Sequence, residues 1–194
     1  MRFPETMRPH IHTVLNGEYS IPLKSESPVF LDVGANVGAF AVWAKHFWPQ
    51  STVHCYEPLK SNFHFLEENT KELTSVFLNN YAIGNPSRTK LFLGKNNCGE
   101  SSFNQIQEQT DEYEIVTTKP PSILPKADVL KLDTEGCEVE ILEGLDLNFE
   151  YIMLEYHSET DRRKIDDLLN NYILIGSKCT RPDRGVVKYK LQKE

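Results

Sequence analysis

The segment Phe30-Leu31-Asp32-Val33-Gly34-Ala35-Asn36-Val37-Gly38-Ala39-Phe40 limits the possible folds more than any other part of the chain. A short apolar run suited to a buried strand, Val29 to Val33, passes directly into a turn carrying two glycines. A helix-like segment with an apolar face, Gly38 to Phe47, follows. Gly34 and Gly38 permit unusual backbone angles and close backbone approach. The first N–H groups of a helix have no partner within it, so they face whatever sits above the turn. In open α/β sheets, ligands lie at such places, beyond the carboxyl ends of the strands.

The rest of the chain keeps the alternation. Thr52 to Tyr56, Val76 to Leu78, Asp128 to Leu132, Tyr151 to Leu154, Tyr172 to Ile175 and Val186 to Leu191 read as strands. Leu59 to Asn69, Glu138 to Leu142 and Asp161 to Asn170 read as helices. Alternation of this kind predicts a three-layer α/β/α, Rossmann-like fold around a mostly parallel sheet. Tyr81 to Pro125 breaks the pattern and reads as an insertion with a hairpin or lid. Residues 1–28 read as an arm on the main domain, residues 29–194. Pro4, Pro9, Pro22 and Pro28 discourage a long helix there. Asn16-Gly17 between two apolar runs predicts a β-hairpin over Ile11 to Ile21.

Which ligand the turn takes is a matter of charge and glycine count. A dinucleotide fingerprint needs G-x-G-x-x-G, but the second and third glycine positions here are Asn36 and Ala39. Asp32 at the strand end sets negative charge where a dinucleotide carries its own, whereas an ammonium and a sulfonium tolerate it. S-adenosylmethionine is therefore favoured over NAD. Glu57, in Tyr56-Glu57-Pro58, lies 19 residues after Gly38, in register for a carboxylate that accepts the ribose hydroxyls. One carboxylate can take both vicinal hydroxyls, and it repels a 2′-phosphate. Asn80, in Asn79-Asn80-Tyr81-Ala82-Ile83-Gly84, is placed either at the adenine edge or in a simple turn.

Lys plus Arg is 21 and Asp plus Glu is 28, giving a net charge of −7. That balance opposes a nucleic-acid partner. No stretch is long and apolar enough to span a bilayer, and no apolar signal segment is seen. Cys55, Cys98, Cys137 and Cys179 are far apart and read as free thiols. These features predict a cytoplasmic protein with no membrane partner.

Taken together, Leu31 to Gly38, Tyr56-Glu57-Pro58, Asn80 to Gly84 and Lys131-Leu132-Asp133-Thr134-Glu135-Gly136-Cys137-Glu138 resemble the FkbM family of methyltransferases. Leu142-Glu143-Gly144 and Leu154-Glu155-Tyr156 extend the likeness, which spans Val29 to His157. The resemblance implies a class I methyltransferase fold, with a seven-stranded sheet whose last strand is antiparallel. It implies S-adenosylmethionine as methyl donor and a hydroxyl acceptor on a sugar or other small molecule. By the same resemblance Asp32, Gly34, Gly38 and Glu57 hold the cofactor, with Asn80 and Ala82 beside the adenine. Ala35, Asn36, Pro58 and Asp133 complete the expected cofactor set.

An alcohol is a poor nucleophile, so a general base is expected. Asp133 follows a strand and is a candidate base, with helix capping as its alternative. Glu135 suits a cap. His157 ends another strand and is a second candidate base, with an ordinary loop histidine as its alternative. Glu155 is placed to orient a neighbour. These four side chains could also bind Mg²⁺, although the spacing does not require it and no metal is expected. The loop Asn96 to Phe103 supplies Ser101 and Ser102 as possible contacts. A non-catalytic S-adenosylmethionine-binding module is the alternative to an enzyme, followed by an NAD-dependent oxidoreductase.

Overall fold

Apolar residues on both faces of Val29–Val33 and Val129–Leu132 can be satisfied only in the middle of a covered sheet. The computed structural model places both strands there, and it describes residues 1–95, 98–104, 109–181 and 183–192. The elements in chain order begin with α1 (Arg8–Leu15), β1 (Val29–Val33), α2 (Ala39–Phe47), β2 (Thr52–Tyr56), α3 (Lys60–Thr70) and β3 (Val76–Asn79). The inserted region carries β4 (Ala82–Ile83), β5 (Lys90–Gly94), β6 (Gln109–Ile115) and β7 (Thr118–Lys119). The chain then forms β8 (Val129–Leu132), α4 (Glu138–Glu143), β9 (Tyr151–Tyr156), α5 (Glu159–Leu168), β10 (Tyr172–Arg181) and β11 (Arg184–Leu191).

The main sheet has seven strands in the order β10-β11-β9-β8-β1-β2-β3. The central pairs are parallel, and β11 runs antiparallel to both its neighbours. This is the expected Rossmann-like sheet with its antiparallel last strand. One face of the sheet is covered by α2 and α3, packed around Phe30, Phe40, Trp43 and Leu66. Residues of α4 and α5, Ile141 and Ile165 among them, cover the other around Leu31, Leu130 and Ile152. Phe47, at the end of the helix-like segment, is 57% exposed and makes tilted ring contacts with the buried Trp43 and with Trp48. The insertion does carry a hairpin, β5 with β6, while Asn96 and Asn97 of its loop lie outside the described residues.

The N-terminal arm departs from expectation. Residues 8–15 are helical, not a β-hairpin. Asn16-Gly17 ends the helix: Gly17 has φ +89°, its N–H donates to Val14 O, and the Glu18 N–H donates to Thr13 O. That pair of bonds is a Schellman closure, which uses the same positive φ that a hairpin turn would. Pro9 sits in the first helical turn, where its missing N–H costs nothing. Met7, Ile11, Val14 and Tyr19 are buried in the same core as β1 and α2, so the arm is part of the domain's packing. Gly17→Ala should therefore lower stability by about 1 kcal/mol, measured by thermal unfolding, because alanine pays for the left-handed angle. A hairpin-type role for this turn would instead be seen as altered β-structure with no loss of helix.

Candidate active site

The β1–α2 turn is shaped by backbone demands that few residues meet. Gly34 has φ +81°, and a Cβ there would lie 1.8 Å from the Asp133 carbonyl oxygen. The Gly34 and Ala35 N–H groups both donate to Tyr56 O, at 3.0 Å each. Asn36 has φ +51°, a left-handed angle that asparagine tolerates. Its N–H donates to Glu57 Oε2 at 2.9 Å. The turn is thus tied at three points to the end of β2.

Above the carboxyl ends of β1, β2, β8 and β9 lies a cavity of about 200 Å³. Gly34, Asn36, Glu57, Pro58 and Ala82 form one end. Asp133, Glu135, Glu155 and Arg184 form the other. Met7 and His10 from the arm and Ser101 from the insertion add to the wall. Glu57 is buried, and burial pushes its carboxyl up to about 7, although the Leu59 and Asn36 N–H groups pull the other way. Asn36 Oδ1 and Asn62 Oδ1 are buried in this wall with no hydrogen-bond partner among the described residues.

At the far end the charges are crowded. Burial, reinforced by the Asp133 carboxylate, pushes Glu155 up to about 8. Asp133 Oδ2 accepts from Tyr19 OH at 3.4 Å and lies 3.9 Å from Lys131 Nζ. His157 is clamped between carboxylates, with Nε2 3.2 Å from Glu135 Oε2 and Nδ1 3.4 Å from Glu138 Oε1. Burial alone disfavours charge on His157, but Glu138 and Glu135 outweigh it and hold the imidazolium well above the usual range. The same ion pair, with the Thr134 N–H, holds Glu138 down to about 2 against its burial. An imidazolium has no lone pair left to take a proton.

Of the expected cofactor residues, Gly34, Asn36, Glu57, Pro58, Ala82 and Asp133 line the cavity. Asp32, Ala35, Gly38 and Asn80 do not. Asp32 is wholly buried beneath the turn and pairs with Lys131 Nζ at 3.0 Å, so its charge meets a lysine and not a ligand. Gly38 packs on Leu66 of α3, and Asn80 donates to Glu57 O and Pro58 O. Both support the wall from behind. His157 stands outside the cavity lining. Glu135 does not take the capping role expected of it: the N-cap of α4 is Cys137, with no side-chain cap bond, and Glu138 instead ties down the preceding loop by accepting from the N–H groups of Thr134 and Gly136. Glu135 itself is held at φ +54°.

The sequence did not point to Met7, His10, Asn62 or Arg184 as wall residues. Met7 and His10 arrive only because the arm folds over the sheet edge. Arg184 arrives through the pairing of β10 with β11, at the start of β11. Asn62 sits five residues after Glu57, in the first turn of α3, and that spacing was available as a signal. Asp133, Glu155 and His157 also offer ligand atoms within 4.8 Å of one another, the geometry of a candidate cation site among the described residues. The charged state of His157 works against its use as a ligand there.

Comparison with known proteins places this arrangement in context. A family model described as the methyltransferase FkbM domain matches residues 32–175. Methyltransferase 1 of Beauveria bassiana is 22% identical over 155 residues, covering 66% of this chain and 62% of that protein. Methyltransferase sdnD of Sordaria araneosa is 26% identical over 168 residues, covering 66% and 64%. The chain therefore spans just under two thirds of the length of these curated relatives. Among solved structures, an FkbM methyltransferase from Methylobacillus flagellatus is similar in fold, with a TM-score of 0.63 at 16% identity, over 92% of this chain and 47% of that one. Fibrillarin from Aeropyrum pernix, solved with natively bound S-adenosyl-L-methionine, has a TM-score of 0.58 at 12% identity, over 94% and 74%.

Proposed function

From the premise that the chain belongs to the FkbM methyltransferase family, we propose that it methylates a hydroxyl group of a sugar or other small molecule, using S-adenosylmethionine. The observation that carries the reading is the polarity of the cavity wall. Glu57 and the orphaned carbonyls of Asn36 and Asn62 form an end made of acceptors, suited to a ligand rich in N–H and O–H donors. Glu100, Asp133, Glu135 and Glu155 extend that character toward the other end, balanced there by Arg184. Such a lining fits a sulfonium cofactor with an amino group and repels the pyrophosphate of a dinucleotide. The bound cofactor supplies the electrophilic methyl carbon.

The chain's own tasks are to position, exclude water and accept a proton. In this reading Gly34, Asn36 and Glu57 hold the adenosyl end. Asp133 and Glu155 stand at the acceptor end and take the hydroxyl proton as a pair. Glu135, Glu138 and the His157 imidazolium form a rigid ion-paired frame that positions them. Burial by Met7, His10 and the insertion keeps water out. Among the described residues no helix is long and apolar enough to cross a membrane. Cytoplasmic residence, a small-molecule acceptor and the lack of a nucleic-acid partner belong to the same reading. The free thiols of Cys55, Cys137 and Cys179 and the net charge of −7 support it.

Calorimetric titration with S-adenosylmethionine, S-adenosylhomocysteine and NAD tests the donor site. Both adenosyl compounds should bind, NAD should not, and Glu57→Ala should weaken the binding. NAD binding alone would overturn the reading. The raised Glu57 carboxyl adds a pH signature. Its ionised form is the acceptor, so affinity should fall as pH drops through about 7, roughly tenfold between pH 8 and pH 6. Glu57→Gln should flatten that dependence, and an unchanged slope in the variant would assign it to another group.

A further inference from the structure

Strand β10 is an edge of the main sheet, paired with β11 and, among the described residues, with no other strand. Edges are usually short, charged or covered, because their unpaired N–H and C=O groups accept a further strand. β10 is ten residues long and carries Ile173-Leu174-Ile175 in succession, at 52%, 44% and 40% exposure. By register Ile173 lies opposite Lys190 and Leu174 opposite Tyr189, so apolar side chains stand in the open on both faces of the strand. The register shift between Leu174 and Gly176 adds Ile175 to the same patch. Strands that are apolar on both faces, such as β1 and β8, normally have a neighbour at each edge.

Charge indicates what that neighbour is. The chain enters β10 from the end of α5, whose last turn holds Asp166 and Asp167 and no basic residue. Negative charge at a helix C-terminus opposes the dipole, so this end favours a cation. Arg162 meets Asp166, while Asp167 is exposed. The other end of β10 is basic, with Lys178, 3.4 Å from Glu18, and the exposed Arg181. A strand that fits this edge therefore runs antiparallel, is apolar in its middle and is basic where it passes the start of β10. The β10 of a second copy, turned about a two-fold axis, has that pattern. An axis at Leu174 sets Ile173 against the second copy's Ile175 and carries the second copy's Arg181 toward Asp167.

We propose that β10 is a self-association edge, through which two copies of this chain join their seven-stranded sheets antiparallel into one. Two-fold pairing closes the assembly at two chains, because each copy covers the other's edge.

Sedimentation equilibrium of the whole chain over a range of concentrations is the test. The chain should dimerise with a dissociation constant of about 10 μM or tighter, as suits a small interface. Ile173→Lys with Ile175→Lys puts charge on the edge and should weaken the dimer at least about 100-fold. Arg181→Glu should weaken it about tenfold by setting like charges together, and adding Asp167→Lys should restore it to within about threefold. Thermal unfolding of the dilute variants checks that each is folded. The charge pair keeps the test decisive if the double lysine variant does not fold. A chain monomeric at every concentration would overturn the proposal. A dimer indifferent to the lysines would place the contact on another surface, and a charge reversal without rescue would overturn the two-fold antiparallel pairing.

Discussion

Lys131→Met should lower the unfolding free energy by about 3–5 kcal/mol, the loss typical of breaking a buried ion pair from one side. The parallel register sets Lys131 of β8 directly beside Asp32 of β1. Lys131 Nζ lies 3.0 Å from Asp32 Oδ1 and donates to Gly34 O at 2.7 Å. Both side chains are almost wholly buried, at 4% and 0% exposure. Burial alone disfavours the ammonium, but Asp32 and Asp133 outweigh it and keep Lys131 charged. Methionine matches the shape of the stem but leaves Asp32 unpaired and the Gly34 carbonyl without its donor. In a domain of this size the midpoint should fall on the order of 10 °C. Adding Asp32→Leu should recover much of the loss, since two apolar groups replace a pair more cheaply than one orphaned charge. A single variant within about 1 kcal/mol of the parent would show that the pair contributes little.

Glu155→Gln should reduce turnover by roughly 10²- to 10⁴-fold, the range for loss of a general base. Cofactor affinity should stay within about threefold, since the adenosyl end lies across the cavity and the lost interaction is made only at the reacting centre. Glu155 is pushed up to about 8 by burial and by Asp133. Below about pH 8 Glu155 holds a proton, and above it the carboxyl is ionised. A base must be ionised to act, so turnover should rise with pH through that value and level off. The glutamine variant should lose the rise. Release of S-adenosylhomocysteine across a panel of hydroxyl acceptors is the measurement. Retention of more than about a tenth of the parent rate at high pH would place the base elsewhere. His157→Gln bears on the same assignment. Loss of the imidazolium should disturb Glu135 and Glu138 and move the apparent value of Glu155 upward, whereas a base at His157 would remove proton transfer without moving it.

The adenosyl end was legible because local backbone chemistry decides it. Gly34, Asn36 and Glu57 are named by a strand, a turn and a second strand within 28 residues, and each is fixed by angles or bonds that its own type makes possible. The hydrophobic pattern likewise gave the alternating elements and hence the parallel sheet, since only buried central strands are apolar on both faces. Asn16-Gly17 was legible as a positive-φ site but not as a hairpin, because a helix closure and a tight turn ask for the same residue.

The acceptor end belongs to tertiary structure. Whether Asp133, Glu155 or His157 is free to take a proton depends on which charges stand beside it, and those come from β8, β9, α4 and the β10–β11 hairpin together. The sequence put His157 at a strand end, where its ordinary range suits a base. Only packing brought Glu135 and Glu138 to its two nitrogens and kept it charged. Asp32 stood at the right strand end for a ligand contact, and only sheet register gave it Lys131 instead. Sequence alone determined the backbone frame, because propensity and φ angles are properties of short segments. Ionisation states were decided by the fold, because electrostatic energy depends on distance and burial between residues far apart in the chain.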